Sequence, residues 1–319
     1  MNPQIKVIGV GGSGSNTISR MAKIDLAGVE LVAANTDAQA LHFTKGSNDG
    51  DLKKILLGKD ITHGLGTGMD AELGRQAAEA SKKEIAESLK GADMVFVTCG
   101  LGGGTGSGAA PVIAQASKEL GILTVSVVTT PFSFEGEQRK KISQLALENF
   151  QNKTDCLLVI SNDKLLKAIN EKTTVSDAFS ICDEILGQAV RSITDLILAP
   201  GIINIDFSSV VSILKNSGQA MFGTGKASGA DRAILAAEQA INSPLLEFSI
   251  KGARGVLFNV LSNDATLNEI QQAAGIITKN VDSKAQVIFG AIKPGPNGHF
   301  GASNLKKGEL KISVIATKL

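Results

Sequence analysis

The sequence has no tryptophan and no tyrosine, and only 12 phenylalanines in 319 residues, so its core must be aliphatic with Phe at a few points. Cysteine is scarce. Cys99, Cys156 and Cys182 are widely spaced in apolar or helical stretches and form no C-x-x-C pair, which disfavours both zinc and a disulfide framework and reads as a reducing cytoplasm. An excess of either charge is also missing: 32 Lys and Arg face 31 Asp and Glu, a formal charge of +1. No long-range field exists to gather nucleic acid or anionic lipid, so any phosphate must be held locally. No stretch approaches 18 uninterrupted apolar residues, and the start at Met1-Asn2-Pro3-Gln4 lacks the basic and apolar regions of a signal peptide. The expectation is a soluble, cytoplasmic chain with no nucleic-acid partner and no direct membrane insertion. His42, His63 and His299 lack metal-ligand spacing, so no metal held by dedicated protein ligands is expected.

The length suggests about two domains. From Ile5 to about Ile160 short β-branched runs alternate with longer helical patterns, the signature of parallel βαβ units. Strands are expected at Ile5–Val10, Val29–Ala34, Asp93–Cys99, Ile122–Val128 and Cys156–Ile160, and helices at Ala71–Lys90, Ala109–Leu120 and Glu135–Asn149. The fold class is therefore α/β, with a doubly wound, mostly parallel sheet, and its ligand is expected outside the carboxyl ends of the strands. A long helix follows over Thr174–Leu198, with a broad apolar face and a stop at Pro200-Gly201. After it come helices near Phe207–Lys215, Ala230–Ile241 and Leu267–Lys279, and strands at Gly255–Leu261, Gln286–Ile292 and Leu310–Thr317. The division expected is a nucleotide-binding domain over 1–172, a central helix over 173–200 as a spine, and a smaller α/β domain over 201–319. The Gly-, Pro- and Asn-rich stretch Lys293–Lys307 reads as a surface loop.

The 35 glycines are clustered, and the clusters carry the chemistry. Gly9-Val10-Gly11-Gly12-Ser13-Gly14 fits G-x-G-x-x-G after the first strand, with Asp37 following the second, as in dinucleotide-binding turns. Backbone there can approach a phosphate closely, with free N–H groups at a helix N-terminus. A tight turn without a ligand, or a nicotinamide enzyme, would fit this motif alone. A second cluster, Gly102-Gly103-Gly104-Thr105-Gly106-Ser107-Gly108, weighs against the nicotinamide enzyme, which has no use for it. It too lies between an apolar strand and an apolar helix, where a flexible linker is out of place. Its N–H groups are expected to form a concave anion cradle, with Thr105 and Ser107 adding hydroxyls. Two cradles at neighbouring strand ends imply a polyphosphate. Neither is followed by G-K-[ST], so charge must be balanced by backbone dipoles and by Mg²⁺ carried on the phosphates. A third cluster, Gly64-Leu65-Gly66-Thr67-Gly68, is placed to cover the terminal phosphate or to be an ordinary mobile loop.

The stretch Gly102–Gly108 is similar to the G-G-G-T-G-[ST]-G signature of the tubulin/FtsZ family, and the likeness runs through nearly the whole chain. It includes Asn35–Leu41, Pro131–Gly136, Asn162–Leu166, Asn204–Phe207, Ser243–Leu246 and Gly252–Val256. The resemblance implies GTP or GDP with Mg²⁺ as ligands and head-to-tail homopolymer filaments of cell division, with the nucleotide sandwiched between subunits. It places Gly11, Gly12, Ser13, Asn16, Asp37, Gly66, Thr67, Gly68 and Gly102–Ser107 among the nucleotide contacts. Glu135 and Arg139 are implied as sugar and phosphate contacts, and Asn162 and Asp183 as guanine readers, with Phe179 one turn before Asp183 packing on the base. The chemistry agrees, because guanine offers two adjacent donors that a carboxylate accepts side by side, whereas adenine opposes it with a lone pair. In isolation Glu135 and Arg139 would equally be an i,i+4 surface pair, and Asn162 a helix cap.

In the family the loop after the long helix enters the neighbouring subunit's site with a pattern like N-x-D-F-A-D. Here it reads Asn204-Ile205-Asp206-Phe207-Ser208-Ser209. Asn204 and Asp206 are the implied catalytic residues, acting in trans, while Ser209 stands in place of the second carboxylate. An uncharged hydroxyl orients water but supplies neither an anionic base nor a strong metal ligand, so slow GTP hydrolysis is expected. A filament that uses GTP only as an assembly ligand is the alternative, and Asn204 and Asp206 would also serve as caps of the helix that follows. Family members usually carry a linker and short peptide that recruit division-machinery partners at the division site. Division-machinery partners are therefore expected through such a tail, which the sequence to Leu319 does not include.

Overall fold

A computed structural model describes residues 2–23, 26, 28–46, 52–166, 173–199, 201–203, 205–246, 249–294 and 305–318. The chain divides into two compact units, Met1–Val190 and Arg191–Leu319. The first contains β1 (Ile5–Val10), α1 (Gly11–Ala22), β2 (Val29–Asn35), α2 (Ala38–Phe43), β3 (Lys53–Leu56), α3 (Lys59–Thr62), α4 (Ala71–Ala80) and α5 (Lys82–Leu89). It continues with β4 (Met94–Gly100), α6 (Gly104–Glu119), β5 (Leu123–Thr130), a single 3-10 turn (Ser133–Glu135), α7 (Glu137–Phe150), β6 (Cys156–Ser161) and α8 (Asn162–Leu166). The long helix α9 (Val175–Leu198) begins here, and the division between units falls within it.

The strands of this unit lie in the order β3-β2-β1-β4-β5-β6, every neighbouring pair parallel. β1 is buried along its whole length and β4 up to its last residue. That is the burial of strands covered by helices on both faces, and it explains their near-continuous apolar runs. The chain winds outward from β1 to β3 and then returns to the other side of β1 as β4. At that reversal the loops leaving β1 and β4 part to opposite faces and open a crevice. In the β1–β4 register Val10 lies beside Cys99, which brings Gly11 and Gly100 side by side.

Three expected helices are corrected here. The helix expected over Ala71–Lys90 is two helices, interrupted at Ser81, whose hydroxyl accepts the Gly58 N–H at 2.9 Å. The helix expected from Ala109 starts at Gly104, so most of the glycine run is helix and not an open cradle. Packing overrides propensity at this point. A Cβ on Gly108 would stand 1.9 Å from the Ala71 carbonyl oxygen, and one on Gly104 2.5 Å from that of Asp70, so α4 reaches α6 only across glycine. The helix expected at Glu135 begins at Glu137, after the 3-10 turn. β3 was not anticipated: its sequence KKIL has two exposed lysines, as suits an edge strand.

The second unit holds β7 (Gly201–Ile203), α10 (Phe207–Leu214), β8 (Gly218–Ser228), α11 (Arg232–Ile241), β9 (Gly255–Ser262), α12 (Leu267–Lys279), β10 (Gln286–Ile292) and β11 (Glu309–Thr317). Its strand order is β8-β11-β9-β10-β7, with β9 and β10 parallel and β11 antiparallel to both its neighbours. Alanines of α11 and Ala273 and Ile277 of α12 close its core with Phe258, Val260 and Ile312. The buried Arg232 ties α11 to α12, donating to Glu269 at 2.6 Å and to Asp264 at 2.8 Å. Arg232 holds the Glu269 carboxyl down to about 2, helped by the Thr266 cap. β8 was not anticipated, since its glycines suppress strand propensity. Gly223 and Gly225 admit the α11 carbonyls of Ala240 and Ala236, which a Cβ would meet at 2.1 and 2.2 Å. The expected loop Lys293–Lys307 lies largely outside the described residues, as do Pro200 and Asn204.

Candidate functional site

A cavity of about 290 Å³ opens at the carboxyl ends of β1 and β4. One end is lined by the turn into α1 (Gly11, Gly12, Ser13) and the turn into α6 (Gly103, Gly104, Thr105, Gly106), with Thr67 and Met69 beside them. The N-caps of α2, α4, α10 and α12 are Asp37, Asp70, Asp206 and Thr266, each accepting a backbone N–H with its side chain. α1 and α6 differ. Their N-caps are Val10 and Gly103, no side chain caps either helix, and neither first turn carries an acidic residue. The orphan N–H groups and the positive dipole ends of both helices are thus left to whatever the cavity receives.

The glycines of the two turns fall into three classes. Gly9, Gly14 and Gly106 are demanded by packing: a Cβ on them would lie 2.2 Å from the Gly14 oxygen, 2.7 Å from the Thr98 oxygen and 2.5 Å from the Gly100 oxygen respectively. Gly11 and Gly102 are demanded by conformation, with φ of +73° and +98°. Gly12 and Gly103 are demanded by neither. A Cβ on either would meet no protein atom within 4 Å, and their φ angles are ordinary. Both line the cavity, so bare backbone faces it with no reason inside the protein. Thr105 shares a hydrogen bond of 2.6 Å with Thr36.

The other end is built of side chains. Glu135 accepts the Phe132 N–H at 2.9 Å and pairs with Arg139 at 3.1 Å, so the i,i+4 pair exists and also lines the cavity. Asn162, 4% exposed, has an amide oxygen with no hydrogen-bond partner, which argues against the helix-cap role. Phe179 meets Phe132 edge to face at 5.3 Å between ring centres and remains 40% exposed. Asp183 takes the Ser13 hydroxyl on Oδ1 at 3.2 Å and faces Arg20 Nε at 3.6 Å. Burial pushes its carboxyl up to about 6, against the opposing pull of Arg20 and Ser13.

Not every expected residue lines this cavity. Asn16 is exposed on α1, Asp37 caps α2 by accepting the Ala40 N–H at 2.9 Å, and Gly66 and Gly68 turn with positive φ beside Thr67. Gly102 shapes the turn, and the Ser107 hydroxyl, buried, accepts the Gly102 N–H at 2.9 Å instead of facing the cavity. In the second unit Asp206 caps α10, accepting from Ser209 N at 2.6 Å and Ser208 Oγ at 3.0 Å. Hydrogen bonds from Ser209 and Ser208 hold its carboxyl below the usual range. Sequence reasoning missed Cys182, Met69 and Thr129 as lining residues. Cys182 had a signal, three residues after Phe179 on one helical face, and burial pushes its thiol up to about 12. Among the described residues no group of three or more His, Cys, Asp or Glu is placed to hold a metal ion, and no helix is long and apolar enough to cross a membrane.

Comparison with known proteins gives the same outline. Residues 4–170 match the model of the Tubulin/FtsZ family, GTPase domain, and residues 218–319 that of the FtsZ family, C-terminal domain. The chain is 50% identical over 287 residues to cell division protein FtsZ 1 of Pyrococcus horikoshii, covering 90% of this chain and 76% of that protein. It is 48% identical over 319 residues to cell division protein FtsZ of Caulobacter vibrioides, covering 99% of this chain and 60% of that longer protein. Among solved structures, an empty FtsZ dimer from M. jannaschii superposes with a TM-score of 0.91 at 40% identity, covering 99% of this chain and 88% of that one.

Proposed function

The chain belongs to the tubulin/FtsZ family, and we propose that it is a cell-division GTPase that binds guanine nucleotide in this cavity, assembles head to tail with copies of itself and hydrolyses GTP slowly in trans. The observation that carries this reading is the pairing of two uncapped helix N-termini, with the unexplained glycines Gly12 and Gly103 at one end, and the unpartnered Asn162 and raised Asp183 at the other. The first end suits a chain of phosphates, whose oxygens accept several N–H groups at once. The second suits guanine: an ionised Asp183 accepts its two adjacent N–H donors, and the Asn162 amide supplies complementary polar groups. Phe179 offers a ring to the base, and Glu135 with Arg139, on the same wall, would take sugar and phosphate.

Magnesium fits this arrangement as an ion carried by the phosphates, which normally bring it with one or two protein oxygens at most. It would supply the countercharge that a lysine provides elsewhere. The residues proposed for hydrolysis, Asn204 and Asp206, belong to the second unit and would act on a neighbouring copy's nucleotide. Asp206, with a lowered pKa, stays ionised; such a group orients water or a hydrated cation well and accepts a proton poorly. Ser209 adds no charge. The same observation favours a second reading, in which the filament uses GTP as an assembly ligand only. Division-machinery partners would be engaged through a tail beyond the residues described, in the cytoplasm at the division site.

Light scattering with simultaneous phosphate release tests the proposal. GTP with magnesium should induce assembly while GDP and NADH should not, and phosphate release per molecule should rise with protein concentration above a threshold. Ser209→Asp should raise the release rate by about 10-fold or more. Assembly with no phosphate release, in wild type and variant alike, would favour the non-hydrolysing reading. Absence of heat with GTP and GDP in calorimetry would reject nucleotide binding itself.

A further inference from the structure

Asp183 has a polar neighbour at each of its two oxygens. Its Oδ1 takes the Ser13 hydroxyl at 3.2 Å, and its Oδ2 faces Nε of Arg20 at 3.6 Å. Arg20 sits on the last turn of α1, half exposed and outside the cavity wall, and its Nη2 donates to Ser180 Oγ at 2.8 Å. That bond anchors the guanidinium to α9 one turn before Asp183, so Arg20 is held beside the carboxylate without being one of the residues that line the cavity. Ser13, itself on the cavity wall, donates to one oxygen and the Arg20 guanidinium stands as a cation beside the other, so both oxygens keep lone pairs for the cavity.

We propose that Arg20, through its anchor on Ser180, is a positioning residue that orients and keeps ionised the base-reading carboxylate of Asp183, and thereby sets the preference for guanine over hypoxanthine. The inference rests on the guanine reading of the cavity. An ionised carboxylate presents two acceptors, which match the N1–H and the 2-amino group of guanine. A protonated one presents a donor and an acceptor, which opposes the amino group with an O–H. Hypoxanthine, with a single donor at N1 and no 2-amino group, loses less when the proton arrives. Discrimination therefore depends on the charge of Asp183, and Arg20 is the cation set against it. The other titratable groups around this wall act differently. Cys182 on the same helix stays neutral, its thiol pushed up to about 12, and Glu135 at the end of the 3-10 turn is paired with Arg139 of α7.

The test is nucleotide binding to the intact protein between pH 5.5 and 8.5, with GTP and ITP, for wild type, Arg20→Gln, Arg20→Lys and Ser180→Ala. Wild type should lose GTP affinity as the pH falls through about 6, where the Asp183 carboxyl titrates. Arg20→Gln should move that midpoint up; a shift of about one unit leaves GTP affinity roughly 3-fold weaker at pH 6.5 and nearly unchanged at pH 8.5. ITP should weaken less, so the GTP-to-ITP ratio at pH 6.5 falls. Arg20→Lys keeps the charge and should restore most of the midpoint, and Ser180→Ala should shift it less than Arg20→Gln. A loss that is equal at both pH values and for both nucleotides would make Arg20 merely structural and overturn the inference. An Arg20→Gln midpoint equal to wild type would overturn it too. Wild type binding neither nucleotide would instead overturn the guanine reading on which it rests.

Discussion

At the glycine-rich end of the cavity the wall is main chain, shaped by Gly11, Gly12, Gly103 and Gly104 at two uncapped helix N-termini; at the other end it is side chain, supplied by Glu135, Asn162, Phe179 and Asp183. The difference separates two ways of recognising charge. Backbone donors have no ionisation to lose and cannot be adjusted, so that end should ignore pH and refuse any added atom. Side chains can be adjusted by their neighbours, and the raised Asp183 shows one that is. The glycine end further divides into positions fixed by packing and positions left open, and that division is the sharpest place to probe.

The largest effect is expected at a packing glycine. Gly108→Ala puts a methyl group 1.9 Å from the Ala71 oxygen and should cost about 3 kcal/mol or more of stability, read from denaturant unfolding without nucleotide. Gly103→Ala should leave stability within about 1 kcal/mol, because its Cβ meets nothing, yet weaken GTP roughly 10- to 100-fold by holding the phosphates off the backbone. Wild-type affinity in that variant would erase the distinction between open and packed glycines. Asn162→Ala should weaken GTP about 10-fold with little change in unliganded stability, since its amide oxygen has no partner to lose.

The smallest effect is a proton. The Asp183 carboxyl lies near 6 against an ordinary value of 3.8, so its contribution to unliganded stability is full below 3.8 and is lost as the pH rises through 6. Bound guanine donors favour the anion and reverse this. GTP binding at pH 6 should therefore release up to about half a proton, measured by calorimetry in buffers of different ionisation enthalpy, and Asp183→Asn should abolish the release. A release that persists in that variant would move the titrating group elsewhere.

Much of the parallel sheet was legible because its strands are near-continuous runs of apolar and β-branched residues and its turns are marked by glycine, so Ile5–Val10 and the strands through Cys156 lie within a residue or two of expectation. β3 and β8 were not, because KKIL and a glycine-rich run have little strand character and are held by their partners. The beginning of α6 was hidden for the same reason: three glycines among its first five residues oppose a helix until α4 lies against them. At the candidate site, sequence pointed to the glycine turns and, by resemblance, to Asn162 and Asp183. It did not distinguish Ser107, whose hydroxyl serves its own turn, from Thr105, which lines the cavity. Arg20 carried no local signal, as its partner lies far along the chain.

The sequence by itself determined where backbone could come close to a ligand, because glycine records the absence of a side chain directly. Only the tertiary structure decided what each absence is for. A missing Cβ filled by a neighbouring carbonyl, as at Gly108, serves packing; one that opens on a cavity, as at Gly12 and Gly103, leaves the backbone free for a ligand. The physical reason is that the space around a Cα is set by elements distant in sequence, and so is the desolvation that raises Asp183.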